Sequence, residues 1–391
     1  MRHPLRHRSF KSLALVAAFL AAAPFLGAAP VQAVPAAVAP ATAAKAASLT
    51  PAQHLALMSL EQKVGQLFMV DAAATGASIN TMSDLTRYHV GNVYLAGRSY
   101  NGVAATAAVV RQMTSTITAS TTSLTKLFVA TDQEGGYVQV LNGPGFSSIP
   151  TGLAQGTIAP STLTADARAW GNQLRAAGIN VDLAPVLDTV TQSFAPFNAP
   201  IGYFEREYGY TPAQVSAEGN AFATGLKQAG IAPTAKHFPG LGRVTGNTDT
   251  TANVRDTQTT SNDPNLLPFK TAINGGIHFV MVSSAYYSKI DPTHIGPQSQ
   301  IIMQNLLRTT DHFSGIIISD DLCNAAQLQP WSLGVRANDF FNVGGTMLLC
   351  GNERDIPTMY YSLIALAQAR PSFMAKINAA ALKVLEAKYE L

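Results

Sequence analysis

Side chains capable of chemistry stand at the ends of most of the short apolar segments in this 391-residue sequence. In chain order they are Asp71, Arg98, Asp132 with Glu134, Asp188, Lys236 with His237, Ser283 with Ser284, and Asp320 with Asp321. Carboxylates, lysine and histidine serve proteins as nucleophiles, as general acids and bases, and as partners of polar ligands. Ion pairs and helix caps use the same residues, so a single ending would mean little. Their repetition predicts an enzyme-like pocket.

The apolar segments themselves predict eight strands. Their residues are 64–71, 91–97, 127–132, 181–188, 232–237, 279–284, 316–320 and 346–350. Most of these segments are continuously apolar, which is typical of strands buried on both faces of a parallel sheet. Helical spacing of apolar residues predicts helices between them. The helical segments are residues 104–118, 163–177, 212–229, 265–274 and 298–308.

Eight strands that alternate with helices predict an α/β fold, a (β/α)8 TIM-type barrel that forms a single catalytic domain over residues 49–391. The carboxyl ends of all strands of such a barrel meet at one mouth, which is where active sites are built. A doubly wound open sheet is the alternative, but it usually has fewer strands and a glycine fingerprint after the first strand. The composition, 13% charged and 47% hydrophobic, excludes a disordered chain.

The amino terminus predicts export. Residues 1–33 contain four basic side chains, a 14-residue apolar core over 13–26, and a Val-Gln-Ala ending suited to signal peptidase. That core is shorter than the roughly 20 residues that span a bilayer. We therefore expect a signal peptide over 1–33, an Ala/Pro-rich linker over 34–48, and no stable membrane insertion after cleavage. No cysteine lies near the cleavage site, so we expect a secreted, extracellular protein without a lipid anchor.

The charge balance gives no indication of a nucleic-acid partner. The whole chain has 26 basic and 23 acidic residues, a net charge of +3. Loss of the four basic residues in 1–33 leaves 22 basic against 23 acidic residues, a net charge of −1. The basic character thus belongs to the signal peptide, and we expect no nucleic acid as partner.

Three segments identify a family. They are residues 131–136 (Thr-Asp-Gln-Glu-Gly-Gly), 236–240 (Lys-His-Phe-Pro-Gly) and 318–322 (Ile-Ser-Asp-Asp-Leu). In this order at the ends of predicted strands, they resemble glycoside hydrolase family 3, above all its single-domain bacterial β-N-acetylglucosaminidases (β-N-acetylhexosaminidases). Residues 182–188, and Arg206 with its flanking glycines, extend the resemblance over nearly all of residues 50–391.

The resemblance implies a glycosidase that removes terminal β-linked sugars by a retaining mechanism, with no cofactor and no metal. Its expected substrate is N-acetylglucosamine in cell-wall or chitin-type oligosaccharides, and glucose or xylose stays open. The family's nucleophile corresponds to Asp320. The family's sugar-binding residues correspond to Asp132, Arg206, Lys236 and His237. Because side chains alternate along a strand, we expect Asp321 to point to the side opposite Asp320, which indicates a structural role.

The acid/base position departs from the family pattern. Single-domain members have an Asp-Ser-His triplet in the loop after Lys-His-Phe-Pro-Gly, whereas this chain has Asp249 followed by Thr250 and Thr251. Threonine cannot act as a general acid near neutral pH. Asp249 is therefore the candidate acid/base, or the remnant of one, if a dry pocket raises its pKa.

Two alternatives to Asp249 stay open. Another carboxylate, such as Glu205, Glu207 or Asp256, can move into the pocket. Alternatively, the chain is a weak or inactive relative that only binds glycan. A further departure is Tyr137, which stands where the family usually has arginine after Gly-Gly.

Other chemistries fit the same residues less well. A lysine at a strand end, such as Lys236, can form a Schiff base. The strand-end carboxylates and His237 can ligate a cation, but no His-Glu-x-x-His spacing supports a metal. The two cysteines, Cys323 and Cys350, follow neighbouring strands about 4.8 Å apart. They form either one disulfide or two separate buried thiols.

Overall fold

Eight parallel strands form the central sheet of the computed structural model, which describes residues 49–391. We number them β1 to β8 in chain order. They are Phe68–Ala73, Asn92–Ala96, Phe128–Thr131, Val181–Asp182, Ala232–Phe238, Phe279–Val282, Ile316–Ser319 and Leu348–Cys350. The signal peptide and linker predicted over residues 1–48 lie outside the described residues.

The sheet closes on itself. Its order is β7-β6-β5-β4-β3-β2-β1-β8, and every neighbouring pair is parallel. A parallel bridge between Ile318 and Met347 then joins the two end strands. This is the predicted (β/α)8 barrel, which the structure confirms.

Helices cover the outside of the barrel, and we number them α1 to α11. They are Pro51–Leu57, Leu60–Gly65, Ile79–Arg87, Gly102–Thr114, Gly152–Gln155, Pro160–Ala176, Pro212–Gln228, Leu267–Asn274, Leu333–Asn342, Ile356–Ala369 and Pro371–Glu390. The helix between β6 and β7, Ile301–Thr310, is a π-helix and begins three residues after the predicted start at residue 298. Within residues 49–391, no helix is both long and apolar enough to cross a membrane.

Two predicted strands are wrong at one end. The segment 64–71 was assigned to a strand from residue 64, but α2 ends at Gly65 and β1 begins at Phe68. Ser59 and Gln62 form a capping box that starts this helix. The segment 181–188 is regular only over Val181–Asp182. Pro185 has no N–H to donate to a ladder, so the chain beyond it makes isolated contacts with β5 instead.

The loops at the carboxyl ends of the strands build the mouth. After β3 comes a hairpin of two short strands, Gln133–Gly135 and Val138–Gln139. The long segment after β4 contains two 3-10 turns, Ala195–Phe197 and Gly202–Phe204. Another 3-10 turn, Ala326–Leu328, follows β7.

A candidate glycosidase active site

A cavity of about 450 Å³ opens at the carboxyl ends of the strands. Its volume lies in the range of small-molecule sites. The cavity brings together all six residues that the sequence selected. These are Asp132, Arg206, Lys236, His237, Asp249 and Asp320.

A buried ion-pair network forms one wall. Lys236 Nζ lies 2.6 Å from Asp132 Oδ1 and 2.5 Å from Glu134 Oε1. Arg206 donates two hydrogen bonds to the same Glu134 carboxylate, at 2.9 and 2.8 Å, and a third to the carbonyl of Pro200. Buried charges need such partners, because an unpaired ion loses its hydration without compensation.

The network fixes the protonation of its members. Burial alone would raise the pKa of Glu134, but Arg206 and Lys236 lower it to about 2. Burial alone would lower the pKa of Lys236, but Asp132 and Glu134 raise it. Lys236 is therefore a protonated ammonium at neutral pH. A Schiff base needs a neutral amine, so this environment disfavours the alternative chemistry at Lys236.

Asp132 and His237 are each held by a second residue. Tyr94 Oη donates to Asp132 Oδ2 at 2.8 Å, while Lys236 contacts the other oxygen. Asp188 Oδ2 lies 2.8 Å from His237 Nδ1 and also accepts the backbone N–H of His237. Because Nδ1 is engaged, Nε2 is the ring nitrogen left for a ligand. Both side chains thus present fixed polar atoms to the cavity.

Asp320 and Asp321 diverge at the end of β7. The Asp321 backbone N–H donates to Asp320 Oδ1 at 2.9 Å. The Asp321 carboxylate instead accepts backbone N–H groups of Cys323 at 2.8 Å and Gly351 at 3.0 Å. These contacts match the structural role expected for Asp321, although its side chain also borders the cavity.

The two cysteines form a disulfide. Cys323 and Cys350 are bonded, with their Cα atoms 5.1 Å apart. Both are buried. The alternative of two separate thiols is therefore excluded. The disulfide joins the ends of β7 and β8 close to Asp320 in the sequence.

The loop that contains Asp249 is tethered to the segment after β7. The backbone N–H groups of Ala326 and Gln327 donate to the carbonyls of Asp249 and Thr248, both at 3.0 Å. The Asp249 N–H donates to Asn247 Oδ1 at 2.9 Å. Desolvation in the cavity, followed by the negative charges of Asp320 and Asp321, raises the pKa of Asp249 to about 6. The loop therefore places an acid of near-neutral pKa beside Asp320.

Other candidates for the acid lie away from the cavity. Thr251 is exposed and is not part of the cavity wall. Glu205 is exposed and Glu207 is buried, and neither of them lines the cavity. Asp256 is buried and accepts hydrogen bonds from Thr259. The structure thus gives no support to the idea that one of these three carboxylates replaces the missing histidine.

Sequence reasoning did not assign three residues of the site. Glu134 lies within the first motif, and Asp188 ends a predicted strand, so both carried a signal. Tyr94 sits inside β2 and carried none, because its contact with Asp132 depends on barrel packing. Among residues 49–391, no group of three or more His, Cys, Asp or Glu side chains is arranged to hold a metal ion.

The mouth of this parallel barrel holds the carboxylates of Asp320 and Asp249 beside a buried network of charged side chains. Such an arrangement is typical of a glycosidase site. The sequence model of the glycosyl hydrolase family 3 N-terminal domain matches residues 59–387. The chain therefore belongs to glycoside hydrolase family 3, as its motifs predicted, and is a glycosidase of that family.

Named relatives support this placement. The crystal structure of a β-N-acetylhexosaminidase from Beutenbergia cavernae is 49% identical, with a TM-score of 0.84, over 85% of this chain and 99% of that one. A β-hexosaminidase of Nitrosomonas eutropha is 32% identical over 298 residues, which cover 73% of this chain and 81% of the relative. The β-hexosaminidase LpqI of Mycobacterium tuberculosis is 28% identical over 355 residues, covering 86% and 85%.

Proposed function

We propose that this protein is a secreted, retaining β-N-acetylhexosaminidase that releases terminal N-acetylglucosamine from β-linked cell-wall or chitin-type oligosaccharides. The observation that carries the proposal is the placement of Asp320 and Asp249 on one cavity, with the pKa of Asp249 raised to about 6. The names of the relatives support the choice of sugar. The export part rests on residues 1–33.

In the proposed mechanism, Asp320 is the nucleophile. Its carboxylate attacks the anomeric carbon as the bond from that carbon to the leaving oxygen breaks, and a glycosyl ester forms. Protonated Asp249 gives its proton to the leaving oxygen. In the second step, ionised Asp249 takes a proton from water, whose oxygen attacks the anomeric carbon and releases Asp320. The sugar leaves with its original anomeric configuration.

The remaining polar residues of the cavity hold the terminal sugar. Asp132 and Lys236 offer a carboxylate and an ammonium, and His237 offers Nε2. Hydrogen bonds from sugar hydroxyls to charged groups are the strong kind. The buried pairing with Glu134 and Asp188 keeps these groups in place before the sugar arrives, which reduces the entropy lost on binding.

Hydrolysis of an aryl β-N-acetylglucosaminide tests this function. The purified protein is compared with Asp320→Asn and with Asp166→Asn, a matched substitution on helix α6. An aryl leaving group barely needs protonation, so the assay reports on the nucleophile even without strong acid catalysis. We expect release of the phenol that is lost in Asp320→Asn and retained in Asp166→Asn.

A panel of aryl β-glucosides and β-xylosides tests the choice of sugar. Faster release from either would reassign the substrate. No release from any of them by folded protein would favour the second candidate, a glycan-binding protein without hydrolysis, to which the threonine at position 251 points. Amino-terminal sequencing of the protein from culture medium tests export, with Val34 as the expected first residue.

A further inference from the structure

Three exposed aromatic side chains stand together at the mouth of the cavity. We call Tyr137, Tyr203 and Phe204 the aromatic rim. Their exposed fractions are 58, 67 and 36%. The rings of Tyr137 and Phe204 meet edge to face with centroids 6.2 Å apart, and Tyr203 lies 5.0 Å from Phe204 in the same manner. Clustered exposed aromatics of this kind mark binding surfaces, because leaving them in water is unfavourable.

The rim is continuous with the reaction cavity. Tyr137 and Phe204 both line the cavity that contains Asp320 and Asp249. Their exposure means that the apolar surface at the cavity edge faces incoming ligand. A ligand whose terminal sugar occupies the cavity would therefore lay its next unit against these rings.

An ion pair links the two loops that carry the aromatic rim. Tyr137 follows Glu134 by three residues, and Phe204 precedes Arg206 by two. The two-pronged ion pair between Glu134 and Arg206 thus ties the two loops to each other close to the rings in sequence. Arg98 donates to the carbonyl oxygens of Tyr137 and Gln139 and so also holds the hairpin.

The hairpin turn itself tolerates no bulk. Gly136, next to Tyr137, has φ +55°, and a Cβ atom there would lie 2.4 Å from Thr151 Cγ2. The turn is therefore packed tightly against the segment before α5. Tyr137 is held on a rigid support rather than on a loose loop.

Aromatic faces suit the C–H surface of a pyranose ring, which is the apolar side of a sugar. The charge around the rim selects among sugars. Arg206 and Lys236, two cations of the cavity wall, are both engaged by carboxylates, and Arg98 is engaged by carbonyls. Asp249 and Asp320 lie in the same wall and form no ion pair with a cation among residues 49–391. Asp320 is ionised when it acts as the nucleophile, so a sugar with a carboxylate would meet repulsion from it, whereas an uncharged one would not.

We propose that the aromatic rim is a binding subsite for the sugar on the leaving-group side of the scissile bond, and that it selects an uncharged pyranose over one that bears a carboxylate. The inference rests on the proposed function, because it takes the cavity as the site of the terminal sugar. It names the chitin-type oligosaccharide, rather than the acidic wall disaccharide, as the better substrate.

The test compares two substrates that differ in the leaving group. N,N′-diacetylchitobiose places a sugar on the rim, and N-acetylglucosaminyl β-fluoride places none. We expect Tyr137→Ala and Phe204→Ala each to lower kcat/KM on the disaccharide about tenfold, the scale of one lost aromatic contact. The fall on the fluoride should be at most about twofold, and Tyr137→Phe should restore most of the disaccharide activity.

Tyr361→Ala is the matched control, since Tyr361 is a 54% exposed tyrosine on the outer helix α10. This substitution should lower kcat/KM neither on the disaccharide nor on the fluoride. Equal losses on both substrates, or no loss on the disaccharide, would overturn the rim as a subsite. For the choice of sugar, the unsubstituted protein is assayed on a disaccharide whose leaving sugar carries a lactyl carboxylate. A kcat/KM at or above that for diacetylchitobiose would overturn the selection of an uncharged sugar.

Failure of the proposed function gives a different result. In that case the unsubstituted protein hydrolyses neither the fluoride nor the disaccharide. Calorimetric titration with diacetylchitobiose then decides on the rim. About tenfold weaker binding by Tyr137→Ala supports it, and unchanged binding contradicts it.

Discussion

The carboxylate of Asp321 accepts the backbone N–H of Gly351 at 3.0 Å and so ties the end of β7 to the end of β8. The same oxygen accepts the N–H of Cys323, and the disulfide from Cys323 to Cys350 spans the same gap. We call the hydrogen bonds of the Asp321 carboxylate to Cys323 and Gly351 the clamp. Asp320 is the residue directly before Asp321. Its carboxylate therefore stands on a restrained segment of the barrel mouth, which suits the nucleophile role that we propose for it.

Removal of this clamp should weaken the fold. Asp321→Ala leaves the N–H groups of Cys323 and Gly351 without their acceptor in a partly buried place. The expected loss is roughly 1–3 kcal/mol in the free energy of unfolding, measured by urea denaturation. Glu386→Ala, which removes an exposed carboxylate from helix α11, is the control and should change it by less than about 0.5 kcal/mol. Equal stability of the two variants would show that the clamp contributes nothing.

The raised pKa of Asp249 predicts the pH dependence of hydrolysis. A general acid must be protonated, and Asp249 loses its proton as the pH rises through about 6. On diacetylchitobiose, whose leaving group needs a proton, kcat/KM should therefore fall about tenfold per pH unit above that value. An aryl substrate should show a weaker fall, because its leaving group needs little protonation.

Asp249→Asn provides the control for this assignment. Loss of the acid should lower kcat/KM on diacetylchitobiose by roughly 10²- to 10⁴-fold and remove the fall above pH 6. The pH–rate profiles of both proteins are compared. Persistence of the same fall in Asp249→Asn would assign the acid to another group.

A second buried carboxyl predicts how stability depends on pH. Asp182 on β4 accepts the backbone N–H of Gln133 through Oδ1, while Oδ2 is buried and has no partner among residues 49–391. Burial raises the pKa of Asp182 to about 8. The folded state therefore holds a proton that the unfolded state releases near pH 4. The stabilising contribution is complete below about pH 4 and is lost as the pH rises through 8.

Asp182→Asn keeps the acceptor for Gln133 and removes the titration. We expect this variant to exceed the unsubstituted protein in unfolding free energy at pH 8 by several kcal/mol, because each unit of pKa difference corresponds to about 1.4 kcal/mol, and to match it more closely near pH 4. Urea denaturation at both pH values measures the difference. A constant difference between the two proteins from pH 4 to pH 8 would contradict the raised pKa.

The barrel was predictable because its signal is local. Strands buried on both faces are continuously apolar, and β3, β5 and β7 follow the predicted segments closely. The errors arose where a local rule was overlooked or overridden. Ser59 and Gln62 have the spacing of a capping box, which starts helix α2. This helix ends at Gly65 and so includes the first two residues of the predicted strand 64–71. Pro185 ends the regular part of β4 early.

Six residues that line the cavity were selected from the sequence, but the pairings among the residues of the site could not be predicted. Asp132, Lys236 and Asp320 could be predicted because each lies in a short sequence motif that is typical of the family. Glu134 and Arg206 are 72 residues apart, and no local pattern indicates that they form an ion pair. The aromatic rim depends on that same distant contact. The sequence could not decide between a disulfide and two separate thiols for a related reason. The strand order brings Cys323 and Cys350 close together, but it does not show whether they are bonded.

The most direct test of the central claim, that Asp320 is the nucleophile of a retaining glycosidase, is to trap the glycosyl ester. The protein is incubated with 5-fluoro-β-N-acetylglucosaminyl fluoride, digested and mapped by mass spectrometry. We expect one added sugar on the peptide that contains Asp320, and none in Asp320→Asn. A sugar on a different carboxylate, or rapid turnover that releases the inverted anomer without a trapped ester, would contradict it.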